Sequence, residues 1–257
     1  MTSVPVRLGR DLSGRDIVLD LAAPHHGLLS GRTRSGKSIA LYVLLAQMKG
    51  KPVRVCGVDP SGIVFNALGP DPWRVVTMRD VDRATQILGE IVAEMDSRID
   101  ALLAAKLDKF TDFSEDMPLL LVVLEEFPAM LSVLKSHDAA HGLRLKDATE
   151  TAIRHAVQRL ALEGAKVGVR LWLVAQRADA SLLTGVLRSQ LTARISFAQD
   201  ADGLRMLHES ITPEQIERAQ HFKPGEAYIE VAGLYPLLEY RGLLCDYGQL
   251  VTTYESG

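Results

Sequence analysis

The sequence has no long hydrophobic run. Its longest apolar stretches, Leu119–Leu124 and residues 39–46, are much shorter than the roughly 20 residues that a helix needs to span a bilayer. The first residues alternate polar and apolar side chains and lack the apolar core of a signal peptide. We therefore expect a cytoplasmic protein without direct membrane insertion, which a membrane-anchored partner could tether.

Cysteine is scarce as well, and positive charge is not in excess. Cys56 and Cys245 are far apart in apolar or strand-like surroundings, which indicates buried free thiols in a reducing compartment. The formal net charge is −3, so any contact with a polyanion must come from a local patch. The 257 residues contain no internal repeat and no low-complexity linker, and they fit one large α/β domain.

Residues 31–38 read GRTRSGKS and match the phosphate-binding loop (P-loop) G-x-x-x-x-G-K-[ST]. Two glycines let the backbone curl so that successive N–H groups point at phosphate oxygens. The Lys37 ammonium is placed to reach the β- and γ-phosphates, and the Ser38 hydroxyl to hold Mg²⁺. An apolar segment before the loop and a helical one after it favour this reading over a simple glycine-rich turn. The residues expected to bind ATP are Gly31, Thr33, Arg34, Ser35, Gly36, Lys37 and Ser38.

Apolar strand patterns alternate with helical patterns along the chain, which predicts an α/β fold with a mostly parallel central sheet flanked by helices. We expect one domain, made of a small N-terminal β element (1–22), a nucleotide-binding core (23–245) and a tail (246–257). The run Leu119–Leu124 shows no alternation, as expected of a central strand covered on both faces. The other expected strands are residues 16–21, 26–30, 53–58, 73–77, 169–175 and 193–198, with a hairpin-like stretch at 227–244, and the expected helices are residues 38–48, 80–107 and 148–163.

Two polar pairs follow predicted strands. Glu125 and Glu126 come directly after the apolar strand, where one carboxylate can hold the Mg²⁺ shell and the next can polarise the attacking water as a base. Gln176 ends the strand 169–175, where its amide can contact both that water and the γ-phosphate. An ordinary acidic strand end and a polar capping pair are the alternatives.

Taken in order, these segments resemble the FtsK/SpoIIIE motor domain of the HerA–FtsK group, over about residues 6–245. The segments that carry the resemblance are GRTRSGKS (31–38), VRVCGVDPSG (53–62), LLLVVLEEF (119–127), VQRLALEGAKVGVRLWLVAQR (157–177), LTARISF (191–197) and KPGEAY (223–228). The family implies a RecA-like ATPase that uses ATP and Mg²⁺ to pump double-stranded DNA through a ring, expected to be a hexamer.

By this resemblance Glu125, Glu126 and Gln176 take the catalytic roles described above. Arg194 matches the family's arginine in the strand after the Gln-Arg motif, and it is a candidate arginine finger across a subunit interface. A surface charge at a strand edge is the alternative for Arg194. Arg159 and Arg177 are further candidates for the finger.

The chain departs from the family pattern at four positions. Glu125 stands where the family usually has aspartate, and Arg32 and Arg34 replace smaller residues inside the loop. Ser61 stands where the family often has lysine after Asp-Pro. These changes bear on the rate of hydrolysis more than on nucleotide binding. Because it lacks the membrane-spanning N-terminus and winged-helix module of full chromosome translocases, the chain resembles short transfer proteins of actinobacterial mobile elements, or a motor cut from a longer protein.

Basic residues outnumber acidic ones between residues 144 and 170. Such a stretch could line a pore and contact DNA phosphates without reading the base sequence. A solvated helix face with mixed ion pairs is the alternative. The basic residues are Arg144, Lys146, Arg154, Arg159, Lys166 and Arg170.

Three functions therefore remain open. The first is an ATP-driven DNA translocase that acts as a ring in DNA transfer or segregation. The second is a protein-secretion ATPase of the EccC type, which shares the fold but moves polypeptide. The third is a nucleotide-dependent assembly module with weak hydrolysis, which the glutamate at position 125 suggests.

Overall fold

A computed structural model describes residues 2–75, 77–178 and 183–255, with only the backbone at Lys146. The strands are β1 (Pro5–Asp11), β2 (Asp16–Asp20), β3 (Gly27–Ser30), β4 (Val53–Val58), β5 (Arg74–Val75), β6 (Leu119–Leu124), β7 (Val169–Ala175), β8 (Ala193–Ser196), β9 (Glu226–Val231) and β10 (Tyr235–Gly242). The α-helices are α1 (Lys37–Ala46), α2 (Ile63–Ala67), α3 (Val81–Ala104), α4 (Phe127–Ala140), α5 (Thr149–Glu163), α6 (Gly185–Gln190), α7 (Ala201–Leu207), α8 (Pro213–Gln220) and α9 (Tyr247–Glu255). Within the described ranges, no helix is both long and apolar enough to cross a membrane.

The strands form one ten-stranded sheet in the order β2-β1-β10-β9-β8-β3-β7-β6-β4-β5. Neighbours from β8 to β5 are parallel, whereas those from β8 to β2 are antiparallel. The predicted α/β fold is confirmed, and its parallel strands form one side of the sheet, from β8 to the edge strand β5. β7 lies between β3 and β6, so the carboxyl ends of these three strands meet at one edge of the sheet, where ligands of α/β proteins bind.

Both faces of the parallel strands are covered by helices. Leu120, Val122 and Leu124 of β6 belong to the core beneath α3, α4 and α5. The alternate residues of β6 belong to the core beneath α1, α2 and α9. Since successive side chains of a strand point to opposite faces, an uninterrupted apolar run is what a strand with two covered faces requires. The prediction for Leu119–Leu124 is confirmed.

The two ends of the chain depart from the prediction. The N-terminal β element forms, but it is the outer part of the same sheet, because β1 pairs with β10 (Gly9 opposite Gly242). The predicted tail is mostly helix α9, which packs on α1 through a hydrogen bond from the Tyr254 hydroxyl to Leu45 O (2.9 Å). A reciprocal pair of hydrogen bonds between Asp246 and Gln249 starts this helix, and such a pair is a recognisable sequence signal.

Candidate nucleotide-binding site

The P-loop lies between β3 and α1 at the carboxyl edge of the sheet. Gly31 (φ 149°) and Gly36 (φ 114°) adopt backbone angles that favour glycine. A Cβ on Gly36 would lie only 2.8 Å from the backbone nitrogen of Gly225, so the close approach of these segments requires glycine there. None of the described side chains caps α1 at Lys37, which leaves N–H groups of its first turn available to an anion.

Neighbouring segments hold the loop in shape. The backbone N–H of Arg32 donates to Ala198 O (2.8 Å), and that of Gly225 donates to Ser35 O (3.0 Å). The Ser35 hydroxyl oxygen is buried without a hydrogen-bond partner among the described residues. An unpaired polar atom inside a glycine-lined cradle is what a phosphate oxygen would satisfy, so these residues fit a bound nucleotide.

Lys37 brings a buried positive charge to this cradle. Its side chain is 7% exposed, and its Nζ lies 3.7 Å from Glu126 Oε1. Burial lowers the pKa of Lys37, whereas the carboxylates of Glu126 and Glu125 act in the opposite direction. Since a buried ammonium with one distant anionic partner is incompletely compensated, a polyphosphate would stabilise its charged form.

Glu125 and Glu126 follow β6, as predicted, and differ in environment. Glu125 is buried, and burial, with the nearby charges of Asp59 and Glu126, raises its pKa to about 7, although Lys37 acts to lower it. Glu126 has φ 43° and ψ 50°, a left-handed conformation that is uncommon for a glutamate, and it immediately precedes α4. This backbone directs the chain into α4 while the Glu126 carboxylate stays near Lys37.

Asp59, which the sequence analysis included only within the segment 53–62, also belongs to this site. It follows β4, the strand beside β6, and is fully buried. Its Oδ1 accepts hydrogen bonds from the Ser61 amide and hydroxyl, and its Oδ2 accepts from Val64 N (2.7 Å) and Phe65 N (3.2 Å). Asp59 therefore holds the start of α2 and adds negative charge beside Glu125. Its position after a buried strand was the available signal.

Gln176 follows β7, between the P-loop and the glutamate pair. The Thr33 hydroxyl donates to Gln176 Oε1 (3.2 Å), so this side chain contacts the P-loop, whereas its expected contacts with water and the γ-phosphate stay a prediction. Gln199, which the sequence analysis missed, donates from Nε2 to Ser30 Oγ (2.9 Å) and is itself buried. Gln176 and Gln199 border a cleft of about 690 Å³ above the loop, which Arg32 also lines.

The other predicted loop residues lie at the surface. Arg32, Arg34 and Ser38 are exposed, and Arg34 has φ 64°, again in the left-handed region. Ser38 is in the first turn of α1, immediately after Lys37. The predicted Mg²⁺ ligands are thus an exposed hydroxyl and the buried Glu125 carboxylate. Oxygen donors of this kind suit Mg²⁺, which usually also takes phosphate and water ligands.

The structure does not bring Arg194 to the P-loop. Its Nε, Nη1 and Nη2 donate to the carbonyls of Leu191 (2.9 Å), Leu207 (2.6 Å) and Arg188 (3.0 Å), respectively. Two of these carbonyls lie in the last turns of α6 and α7, where a cation stabilises the helix end. The finger role of Arg194 stays a prediction, and this geometry gives it no support because all three donor nitrogens hold the subunit's own backbone.

The two further finger candidates, Arg159 and Arg177, form ion pairs. Arg159 Nη2 lies 2.6 Å from both Asp96 and Glu163. Arg177 Nε lies 3.1 Å from Asp200, and both side chains are largely exposed beside the cleft above the loop. Of these two arginines, Arg177 is the one that borders the nucleotide-binding edge.

The basic stretch 144–170 does not form one cationic surface. Arg170 is buried and donates to the carbonyls of Leu21, Ala22 and Ala23. Arg154 and Arg159 form ion pairs within α5, with Glu150 and Glu163 respectively. The expected pore-lining role is therefore wrong for Arg170, which holds the fold together, whereas the ion pairs of Arg154 and Arg159 match the alternative of a helix face with mixed charges. The side chain of Lys146 lies outside the described residues.

Hydrolysis of a nucleoside triphosphate needs a phosphate cradle, a cation for the developing charge and a carboxylate near the attacking water. The P-loop with Lys37 follows β3 and the two glutamates follow β6, on either side of β7, so all of these groups lie at one edge of the sheet. Fold and site together define a P-loop ATPase.

Comparison with known proteins makes the class more specific. Residues 1–219 match the model of the FtsK/SpoIIIE family, and the chain belongs to that family. It is 27% identical over 209 residues to the DNA translocase FtsK of Borreliella burgdorferi and 26% identical over 205 residues to the DNA translocase SftA of Bacillus subtilis. These matches cover 76% and 74% of this chain but only 25% and 20% of those proteins, so the chain spans a quarter or less of their length.

Solved structures with the same fold include a conjugation coupling protein and a secretion ATPase. The pCW3 conjugation coupling protein TcpA, solved as a monomer with ATPγS, is 20% identical with a TM-score of 0.75, covering 98% of this chain and 70% of that one. The cytoplasmic domain of the type VII secretion ATPase EccC of Thermomonospora curvata is 21% identical with a TM-score of 0.71, covering 98% and 31%. At these identities the likeness shows the fold alone.

Proposed function

We propose that this chain is the motor of a double-stranded DNA translocase that assembles into a ring, expected to be a hexamer, and works in DNA transfer or segregation. The observation that carries the proposal is the arrangement of Lys37, the Glu125–Glu126 pair and Gln176 beyond the carboxyl ends of β3, β6 and β7 in an FtsK/SpoIIIE family member. The two relatives compared above are named as DNA translocases. The proposal places the ring in the cytoplasm, with any membrane attachment supplied by a partner.

The site residues divide the chemistry among them. Bound ATP and Mg²⁺ would supply the phosphoryl group and the charge that polarises it. Lys37 would exchange its contact with Glu126 for phosphate oxygens, and Ser38 and Glu125 would hold the metal ion. Once released, the Glu126 carboxylate can orient a water molecule and accept its proton at Oε1. The Gln176 amide already contacts Thr33, so it can report a change in the loop to β7.

The rate of ATP hydrolysis, measured with and without long duplex DNA, tests the proposal. We expect DNA to stimulate the wild-type rate. Lys37→Ala weakens nucleotide binding, whereas Glu126→Gln keeps binding but lowers the rate by about 100-fold or more, since it removes the proton acceptor. Lys135→Ala and Glu115→Gln, at exposed positions outside the site, are the matched controls and keep the wild-type rate.

Three outcomes separate the proposed function from its alternatives. ATP hydrolysis by assembled rings that is insensitive to duplex DNA contradicts the translocase. Stimulation by a polypeptide instead of DNA favours the secretion motor. Tight ATP binding with negligible turnover, under all of these conditions, favours the assembly module that Glu125 suggested.

A further inference from the structure

Helix α1 carries a tyrosine one turn beyond the P-loop. Tyr42 follows Ser38 by four residues, so the two side chains lie on the same face of the helix. Tyr42 is only 9% exposed, yet its hydroxyl has no hydrogen-bond partner among the described residues. Since the hydroxyl of a buried tyrosine usually finds a partner, a free one marks a place that a ligand or its water can occupy.

The Tyr42 hydroxyl lies near the acidic ends of two strands. Burial raises the pKa of Tyr42, and the negative charges of Glu125 and Asp59 act in the same direction. Glu125 follows β6 and Asp59 follows β4, the strand beside it. Tyr42 therefore lies on the side of α1 that faces these carboxylates, and Ser38 shares that side. The hydroxyl is thus close to the two residues that are expected to hold Mg²⁺, Ser38 and Glu125.

The two carboxylates near Tyr42 differ in what they can still accept. Asp59 already accepts four hydrogen bonds, two from the turn after β4 and two from the start of α2. A carboxylate has about four lone-pair sites, so Asp59 has none left for a further donor. Within the described ranges, no side chain or backbone N–H donates to the Glu125 carboxylate. Of these two carboxylates, Glu125 is therefore the acceptor that remains for the Tyr42 hydroxyl.

The last helix holds the Tyr42 ring in place. The ring of Tyr247, the first residue of α9, packs edge-on against that of Tyr42, with 6.1 Å between their centroids. Helix α9 packs on both α1 and α2, and its Leu250 is fully buried in the core that these helices share. This support comes from residues beyond 219, where the match to the family model ends.

We propose that Tyr42 is a positioning residue for Mg²⁺. In the metal-bound site its hydroxyl donates to the Glu125 carboxylate and accepts a hydrogen bond from a water of the Mg²⁺ shell, while Tyr247 keeps the ring in place. Mg²⁺ retains several waters and demands near-octahedral geometry, so an outer group that orients one ligand and one water raises its affinity. The inference rests on the nucleotide-binding part of the proposed function and is independent of DNA.

Binding of a non-hydrolysable ATP analogue, measured without DNA at increasing Mg²⁺ concentrations, tests this role. The Mg²⁺ concentration that gives half of the gain in affinity, here called the Mg²⁺ midpoint, reports the metal site. Binding in EDTA reports the P-loop alone. We expect Tyr42→Phe to raise the Mg²⁺ midpoint by about 3- to 10-fold, the effect of one hydrogen bond, while binding in EDTA stays within about twofold of wild type.

Variants of Tyr247 test the support of the ring. Tyr247→Ser removes the ring that packs against Tyr42, and we expect it to raise the Mg²⁺ midpoint by about 2- to 5-fold. Tyr247→Phe keeps the ring and removes only the hydroxyl, so it should bind Mg²⁺ and the analogue as the wild type does.

Tyr254→Phe is the matched control. It also removes one hydroxyl beside α1, but that hydroxyl donates to Leu45 O at the far end of the helix. We expect it to lower the free energy of unfolding and to leave the Mg²⁺ midpoint unchanged. The proposed role is wrong if Tyr42→Phe leaves the midpoint at its wild-type value, if it weakens binding in EDTA as much as it raises the midpoint, or if Tyr254→Phe raises the midpoint equally. A chain that passes these tests but whose hydrolysis shows no response to DNA keeps the role of Tyr42 and loses the translocase.

Discussion

His26, the residue before β3, is buried in its neutral form. Burial, with smaller effects from the charges of Arg170 and His25, lowers its pKa from 6.5 to about 4. The Leu171 N–H donates to His26 Nδ1 (2.9 Å), so that nitrogen acts as an acceptor in the fold. A proton added to Nδ1 would face another donor. Folding therefore selects the uncharged imidazole at the base of the strand that leads into the P-loop.

This imidazole predicts a pH dependence of stability. Between pH 6.5 and pH 4 the unfolded chain binds a proton that the folded chain does not, so the free energy of unfolding falls as the pH is lowered, by about 3 kcal/mol across this window. His26→Asn supplies an acceptor without titrating and should remove that part of the pH dependence. Chemical denaturation at several pH values measures the free energy of unfolding of both proteins. His155→Asn, at an exposed position of α5, is the control. An unchanged pH dependence in His26→Asn would contradict the assignment.

The sequence predicts the roles of residues that belong to motifs, but it does not predict contacts between side chains and distant parts of the chain. The roles expected of Lys37 and Glu126 follow from motifs, and the structure brings the two side chains together. Arg194 was interpreted as a candidate arginine finger or a surface charge, because nothing in its own strand shows that α6 and α7 end beside it. The proximity of Asp59 to Glu125 was likewise not predicted, since it depends on β4 lying beside β6.

At the scale of elements, β4 and β6 approach each other closely at Gly57. This glycine pairs with Val123 and has φ 123°. A Cβ built there would overlap the Val123 carbonyl, so the strand pairing depends on the missing side chain. By contrast, Gly89 lies exposed within α3, where a Cβ would meet no atom within 4 Å.

These two glycines predict opposite effects of one substitution. Gly57→Ala should lower the free energy of unfolding by about 2 kcal/mol or more, since strain and overlap both oppose the fold. Gly89→Ala should raise it by about 0.5–1 kcal/mol, because alanine favours the helix and restricts the unfolded chain. Urea denaturation of both variants measures the difference. Equal effects of the two substitutions would show that neither position has the environment described.

Helices and strands with a clear pattern of apolar residues within their own sequence were predictable. The uninterrupted apolar run predicted β6 with the bounds that the structure has, and the helical pattern of residues 80–107 predicted α3, which spans Val81–Ala104. Helix α4 was not predicted. It starts directly after Glu126, which has a left-handed backbone, and has a proline in its first turn, and residues 125 and 126 were interpreted only as part of the acidic motif. Helix α9 was missed for another reason: its stability comes from packing on α1, a contact between distant parts of the chain.

At the scale of the whole molecule, the proposed ring predicts how mixed subunits behave. If each subunit works alone, adding Lys37→Ala subunits to a fixed total concentration lowers DNA-stimulated hydrolysis in proportion to their share. If a ring couples its members, one inactive subunit also slows its neighbours, and a half share of the variant leaves clearly less than half of the rate. Titrating the variant against wild type measures this, with Lys135→Ala as control, and a strictly proportional decline argues against coupling.

The antiparallel strands β9 and β10 join β8 to β1 within the one sheet. The family model ends at residue 219, before both of these strands. A fragment cut at that boundary would leave β8 with an open edge, detach the partner of β1 and remove the Gly225 contact with the P-loop. Unpaired strand edges invite association with other chains. The residues that match the family model are thus fewer than the residues that the folded sheet needs. Deletion studies of the motor should therefore keep residues 220–255.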